Sequence, residues 1–147
     1  MDWKSTLIEH LARRVGEVEA DLALLQEGLT SETKSTAGDK HETGRAMIQM
    51  EMDAAVGRLA EFRAMLAQAR SIATAELPAD RVVVGHCIAT DRGAFILGPP
   101  VGKFAGPGGA TAFALSAASP LGKAFLGARL GDVVVVGSAR YTIEALT

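Results

Sequence analysis

The chain has 147 residues, 48% of them apolar, with a formal net charge of −2 and one cysteine. That length holds one ordinary domain or two small ones, and the apolar content argues against a disordered chain. The lack of basic excess argues against an autonomous nucleic-acid binder, and the lone Cys87 rules out an internal disulfide framework and suits a reducing compartment.

The opening residues, "MDWKSTLIEH", have no basic segment followed by an apolar run, so no signal peptide is expected. The longest membrane-like run, "VVVV" at 133–136, is far short of a span. The expectation is a soluble cytoplasmic protein.

All five prolines lie at or beyond Pro78, as do eleven of the sixteen glycines. Residues 1–76 carry a net charge of −4 and residues 77–147 a net of +2. The break falls at "AELPAD", where Pro78 disfavours helix at Leu77. The organisation expected is a helical domain over 1–76 and a mixed one over 79–147.

Ile8, Leu11, Val15, Val18, Leu22, Leu25 and Leu29 alternate steps of three and four, and so do Ile48, Met52, Ala55, Leu59, Phe62, Leu66 and Ala69. This is the a/d seam of a coiled coil, and two such helices with a short connection pack antiparallel. Pairing the two series end to end, Leu29 with Ile48 through Ile8 with Ala69, sets large side chains against smaller ones in most layers. The implied reversal lies between Gly38 and Asp39. Arms of about 30 residues make a rod roughly 45 Å long.

The tip reads "STAGDKHETGRA". Asp39 followed by Glu42 fits a capping box, with both acids placed well for the dipole of the next helix. The same spacing fixes where two carboxylates point at the end of a narrow probe. Both readings stand on these residues alone.

In the second half, "RVVVGHCIAT" and "GAFIL" read as strands joined by a turn at 91–93. "GPPVGKFAGPGGA" (98–110) reads as a loop and "TAFALS" as a third strand. In "SPLGKAFLGA", Ser119 as N-cap, Pro120 at N1 and Gly127 near the end give a short helix. "GDVVVV", the turn 137–138 and "ARYTIEAL" make a terminal hairpin. The fold class expected is α+β: an antiparallel helical hairpin, then a small antiparallel sheet with one short helix.

A helical hairpin with "GDKHE" at its tip, followed by "SPLGKAFLGARLGDVVVV…RYTIEAL", resembles the bacterial Gre transcript-cleavage factors. The resemblance spans nearly the whole chain, with the two motifs in the family's domains and order. It implies an FKBP-like C-terminal domain that docks on RNA polymerase, here through Ser119, Pro120, Leu121, Lys123 and Phe125. It implies a hairpin entering the polymerase secondary channel as a monomer, with only indirect contact to the nascent RNA 3′ end and weak or indirect contact to DNA. Asp39 and Glu42 would then complete a second Mg²⁺ site held mainly by the polymerase, which hydrolyses its own backtracked transcript. The chain itself would be an accessory factor, not an enzyme. The family tip continues roughly "GDLSENAEY", whereas this chain has "GDKHETGRAM", with Lys40, His41, Thr43, Gly44 and Arg45 changing its chemistry. Some Gre homologues occupy the channel and inhibit transcription, which is the alternative the departures raise.

The remaining candidates have plainer readings. His41 reads as an exposed polar residue, and His86–Cys87 as part of a strand with Cys87 buried. Met47, Met50, Met52 and Met65 read as seam and flanking packing. The 98–110 loop lacks the context of a phosphate loop. Arg13, Arg14, Arg58, Arg63 and Arg70 read as a solvated face. A prolyl isomerase needs an aromatic-rich pocket, for which the C-terminal half offers only Phe95, Phe104, Phe113, Phe125 and Tyr141; no such activity is expected. A pure interaction protein remains the third class.

Overall fold

The computed structural model describes residues 2–34 and 38–147, and the side chains of all of these except 32–41. Two long helices, α1 (Trp3–Lys34) and α2 (Gly38–Thr74), precede six strands and one short helix. The chain divides into two compact units, Leu11–Ala64 and the combination of Met1–His10 with Met65–Thr147. Among the described residues no helix is long and apolar enough to cross a membrane.

Within Leu11–Ala64 the heptad seam forms as the spacing requires. Val18, Ala55 and Leu59 are buried together, and Val15, Leu22, Leu25 and Phe62 pack around them. The fourteen seam positions named above are all buried or half-buried, eleven of them in this unit and Ile8, Leu66 and Ala69 in the other. Off the seam, Leu24 and Val56 are exposed, and so are Met47 and Met50 at 60% and 72%, so those two methionines do not serve as flanking packing. Arg14 lays its guanidinium over the Phe62 ring, 5.0 Å from its centre, which covers an edge of the seam. Helix α1 runs to Lys34 and α2 opens at Gly38. Gly38 and Asp39 thus lie within α2 and not at a break between the helices as the seam pairing implies, and residues 35–37 lie outside those described.

In the other unit, α1 begins at Trp3 because Asp2 caps it: the Ser5 amide donates to Asp2 Oδ1 at 2.7 Å. That hydrogen bond lowers the Asp2 carboxyl below its ordinary range. Trp3 meets Phe104 edge-on at 6.2 Å, and His10 lies 5.9 Å from the same ring. The backbone at Gly106 runs against the Trp3 ring so closely that any Cβ there would overlap ring carbons. At the end of α2, buried Ile72 sits over Gly85 and Gly98, where a Cβ on Gly98 would come within 3.0 Å of its Cδ1.

The six strands are β1 (Cys87–Thr90), β2 (Gly93–Leu97), β3 (Gly102–Ala105), β4 (Thr111–Leu115), β5 (Val133–Val136) and β6 (Ala139–Leu146), with α3 (Pro120–Phe125) after β4. They form one sheet in the order β3-β4-β2-β1-β6-β5. The α+β class holds, with one correction: β2 pairs parallel to β4, so the sheet is mixed and not wholly antiparallel. The cause is a crossover. After β2 the chain makes the β3–β4 hairpin, and β4 returns between β3 and β2. The Gly/Pro stretch 98–110 thus holds a strand, whose single buried side chain is Phe104. The first strand is shorter than expected, because Val83–His86 turns before Cys87. His86 Nδ1 accepts from the Val83 amide at 2.9 Å, which holds that turn.

The core on the α3 side comprises Val82, Ile88, Phe95, Leu97, Phe125, Val134 and Ile143. Phe95 lies 5.4 Å from Phe125 and 5.5 Å from Tyr141, ring centre to ring centre. These rings fill the interior by packing on each other.

Candidate functional site

The sequence points to two places, the opening of α2 and the segment around α3. Glu42 is exposed in the first turns of α2. With Arg45, Ala46 and Gln49 it makes one face of the helix, and together with Leu29 of α1 these residues line a shallow hollow of ≈ 280 Å³. An acid and an arginine thus share one helical face, both open to water. Asp39 falls within the range of α2, but its side chain lies outside those described, as do Lys40 and His41. Since α2 opens at Gly38, Asp39 falls inside the helix and not at the N-cap position the capping reading gives it.

Among the described residues no group of three or more His, Cys, Asp or Glu side chains could hold a metal ion. Among the residues lining this hollow Glu42 is the one carboxylate.

Around α3 the structure explains the motif residue by residue. Ser119 has extended backbone (φ −67°, ψ 157°), and its Oγ accepts from the Gly122 amide at 3.0 Å. The same hydroxyl donates to the Ser116 carbonyl at 2.6 Å. Pro120 starts the helix where no amide is needed. Gly122 is buried so tightly over the Ser116 carbonyl that a Cβ would overlap it. "SPLG" is therefore a device for starting a helix against a bend. The end of α3 is fixed by the Gly127 amide donating to the Val82 carbonyl at 2.9 Å and by the Val82 amide donating to Ala128 at 2.8 Å.

Of the five residues expected to meet a partner, Pro120 and Lys123 are exposed, and Leu121 and Ser119 are half-buried. Phe125 is fully buried at 0% and cannot touch a partner directly; its place is in the core. Sequence reasoning passed over Leu126 and Leu130, which stand 42% and 60% exposed just beyond α3. Their signal was available: both follow a short helix whose apolar face Phe125 already supplies.

Cys87 is buried, as the strand reading expects. Burial pushes its thiol up to about 11, so it stays protonated and unreactive near neutral pH. It lines a cleft of ≈ 480 Å³ together with Trp3, Lys4, Ala73, Ala89 and Ala145.

No protein-family model and no curated protein matches the chain. Two solved structures align along almost its whole length. One is GreA factor homolog 1 (Gfh1) of Thermus thermophilus, 19% identical over 97% of this chain and 95% of that one, with a TM-score of 0.36. The other is a structure of the transcription factor Gfh1, 18% identical over 96% and 93%, with a TM-score of 0.39. At these values the likeness assigns no residue and no activity.

Proposed function

We propose that this chain is a Gre-type transcription factor that binds RNA polymerase and carries a carboxylate-tipped hairpin into its secondary channel. Residues 1–76 supply the probe and 79–147 an FKBP-like dock. The observation that carries the reading is the position of Glu42: exposed, in the first turns of α2, close to where a heptad-seamed hairpin reverses. The "GD…E" and "SPLG" motifs lie in the family's order along the chain, and the second builds a capped helix with exposed Pro120 and Lys123.

In this reading Asp39 and Glu42 add hard oxygen ligands at the polymerase active centre. When bound there, a second Mg²⁺ supplies charge stabilisation and a lowered water pKa for phosphodiester hydrolysis. The chain's own part is positional. The seam holds α2 straight, and its first turns direct the carboxylates. A backtracked transcript is then cut by the polymerase and elongation resumes. The factor acts as a monomer in the cytoplasm.

A second reading is an inhibitory channel regulator, and one observation favours it. Arg45 is exposed on the same face as Glu42, three residues on, bringing a cation to the ligand-bearing surface. Replacement separates the two. In the first reading Asp39→Ala and Glu42→Ala keep near wild-type affinity for polymerase, measured by fluorescence anisotropy, while cleavage in a backtracked complex falls by about 100-fold or more, as loss of a metal-site ligand does. Unchanged cleavage in both variants would refute it.

A further inference from the structure

We propose that the outer edge of β5 accepts an extended, acidic peptide segment of a partner as an added strand of the sheet. Strand β5 (Val133–Val136) ends the sheet, so among the described residues one side of its backbone has no neighbouring strand. It joins β6 through the two-residue turn Gly137–Ser138, with Gly137 at φ +61°, and pairs Val136 with Ala139 and Val134 with Tyr141. In such a hairpin Val134 and Val136 turn their N–H and C=O groups toward β6, while Val133 and Val135 turn theirs outward.

Sheet edges are usually blunted by lysine, proline or a bulge. Here the edge strand is four valines, and Val133 and Val135 stand 47% and 53% exposed. Beside it lies a hollow of ≈ 460 Å³ lined by residues 124, 126–128 and 132–135, between the end of α3 and the strand. Strand addition uses both features: main-chain hydrogen bonds supply affinity, and a hollow beside the edge takes alternate side chains.

Charge selects the occupant. Arg129 and Arg140 are exposed near this edge, with Arg140 directly opposite Val135 and Arg129 tied to Asp132, the residue before Val133. The acid beside them, Asp132, already accepts from the Arg129 amide at 2.8 Å. A second copy of the chain would bring the same cations to the same edge, whereas an acidic segment is attracted to it. The proposal does not depend on polymerase binding.

The test uses the full ¹⁵N-labelled chain and a capped octapeptide alternating valine with glutamate, with a valine–lysine octapeptide as control. Amide exchange at Val133 and Val135 is expected to slow about tenfold or more with the glutamate peptide and to stay unchanged with the control. Arg129→Glu with Arg140→Glu, both exposed positions, should weaken the glutamate peptide about tenfold and let the lysine peptide bind. Val135→Pro should abolish binding by removing an outward donor that the β5–β6 ladder does not use. The proposal fails if millimolar glutamate peptide leaves both amides unprotected, or if the lysine peptide binds wild type equally well. It fails also if the double charge reversal changes nothing, or if a folded Val135→Pro chain still binds. Protection that grows with protein concentration in the absence of peptide would give the edge to a second copy instead.

Discussion

Between Leu11 and Ala64 the chain buries one stripe of aliphatic side chains and leaves nearly everything else in water, whereas Met1–His10 with Met65–Thr147 closes around interlocked rings and glycine contacts. The first arrangement needs only a repeating seam, so its surface is free to carry charge where function requires it. Glu42 and Arg45 sit on such a surface. The second fixes most of its motif residues by packing. Ser119 and Gly122 build the start of α3, Phe125 fills the core, and only Pro120 and Lys123 remain fully open to a partner. Residues of one motif therefore divide into those that shape a surface and those that form it.

Substitutions can break or sharpen this contrast. The largest effect is expected at Phe125, which touches both Phe95 and Tyr141. Phe125→Ala should cost about 3–5 kcal/mol, and Phe125→Asp should leave the β unit unfolded; denaturant titration followed by circular dichroism reads both. A loss of partner binding by a fully folded Phe125→Asp chain would contradict its placement in the core. In the hairpin, Leu59→Ala should cost about 2–3 kcal/mol, since its neighbours Val18 and Ala55 can partly close the gap.

Gly106→Ala should cost about 1–3 kcal/mol by driving a methyl into Trp3, and adding Trp3→Ala should return part of that loss in a double-mutant cycle. Strictly additive costs would mean that the ring and the glycine do not touch. Next is the pH dependence set by Cys87. The folded thiol is raised from 9.0 to about 11 by burial, so above pH 9 the unfolded chain loses its proton first. Stability should then fall between pH 9 and about 11, by on the order of 2–3 kcal/mol, and Cys87→Ala should remove that slope. The smallest effect is at the exposed Glu42, where alanine should change stability by less than about 0.5 kcal/mol.

The hairpin was legible because its signal repeats. Fourteen seam positions at heptad spacing leave little room for another period, and all fourteen are buried or half-buried. The sheet was legible only where strands alternate or run apolar. Strand β3 escaped because Gly102 and the flanking prolines read as loop and only Phe104 faces inward. The parallel pairing of β2 with β4 could not be read at all, since it depends on which side of β2 the returning hairpin enters. At the candidate site the motif residues were found by type and spacing, but "SPLGKAF" does not reveal that Phe125 points inward. Burial of a short helix is decided by the sheet beneath it, here by Phe95 and Ile143.

The central claim is that the hairpin delivers carboxylates to a polymerase active centre, and backtracked elongation complexes test it most directly. With Mg²⁺ and saturating wild-type chain, the account expects the 3′-labelled transcript to release short fragments and the complex to resume synthesis. Full-length transcript that persists despite demonstrated binding would contradict it.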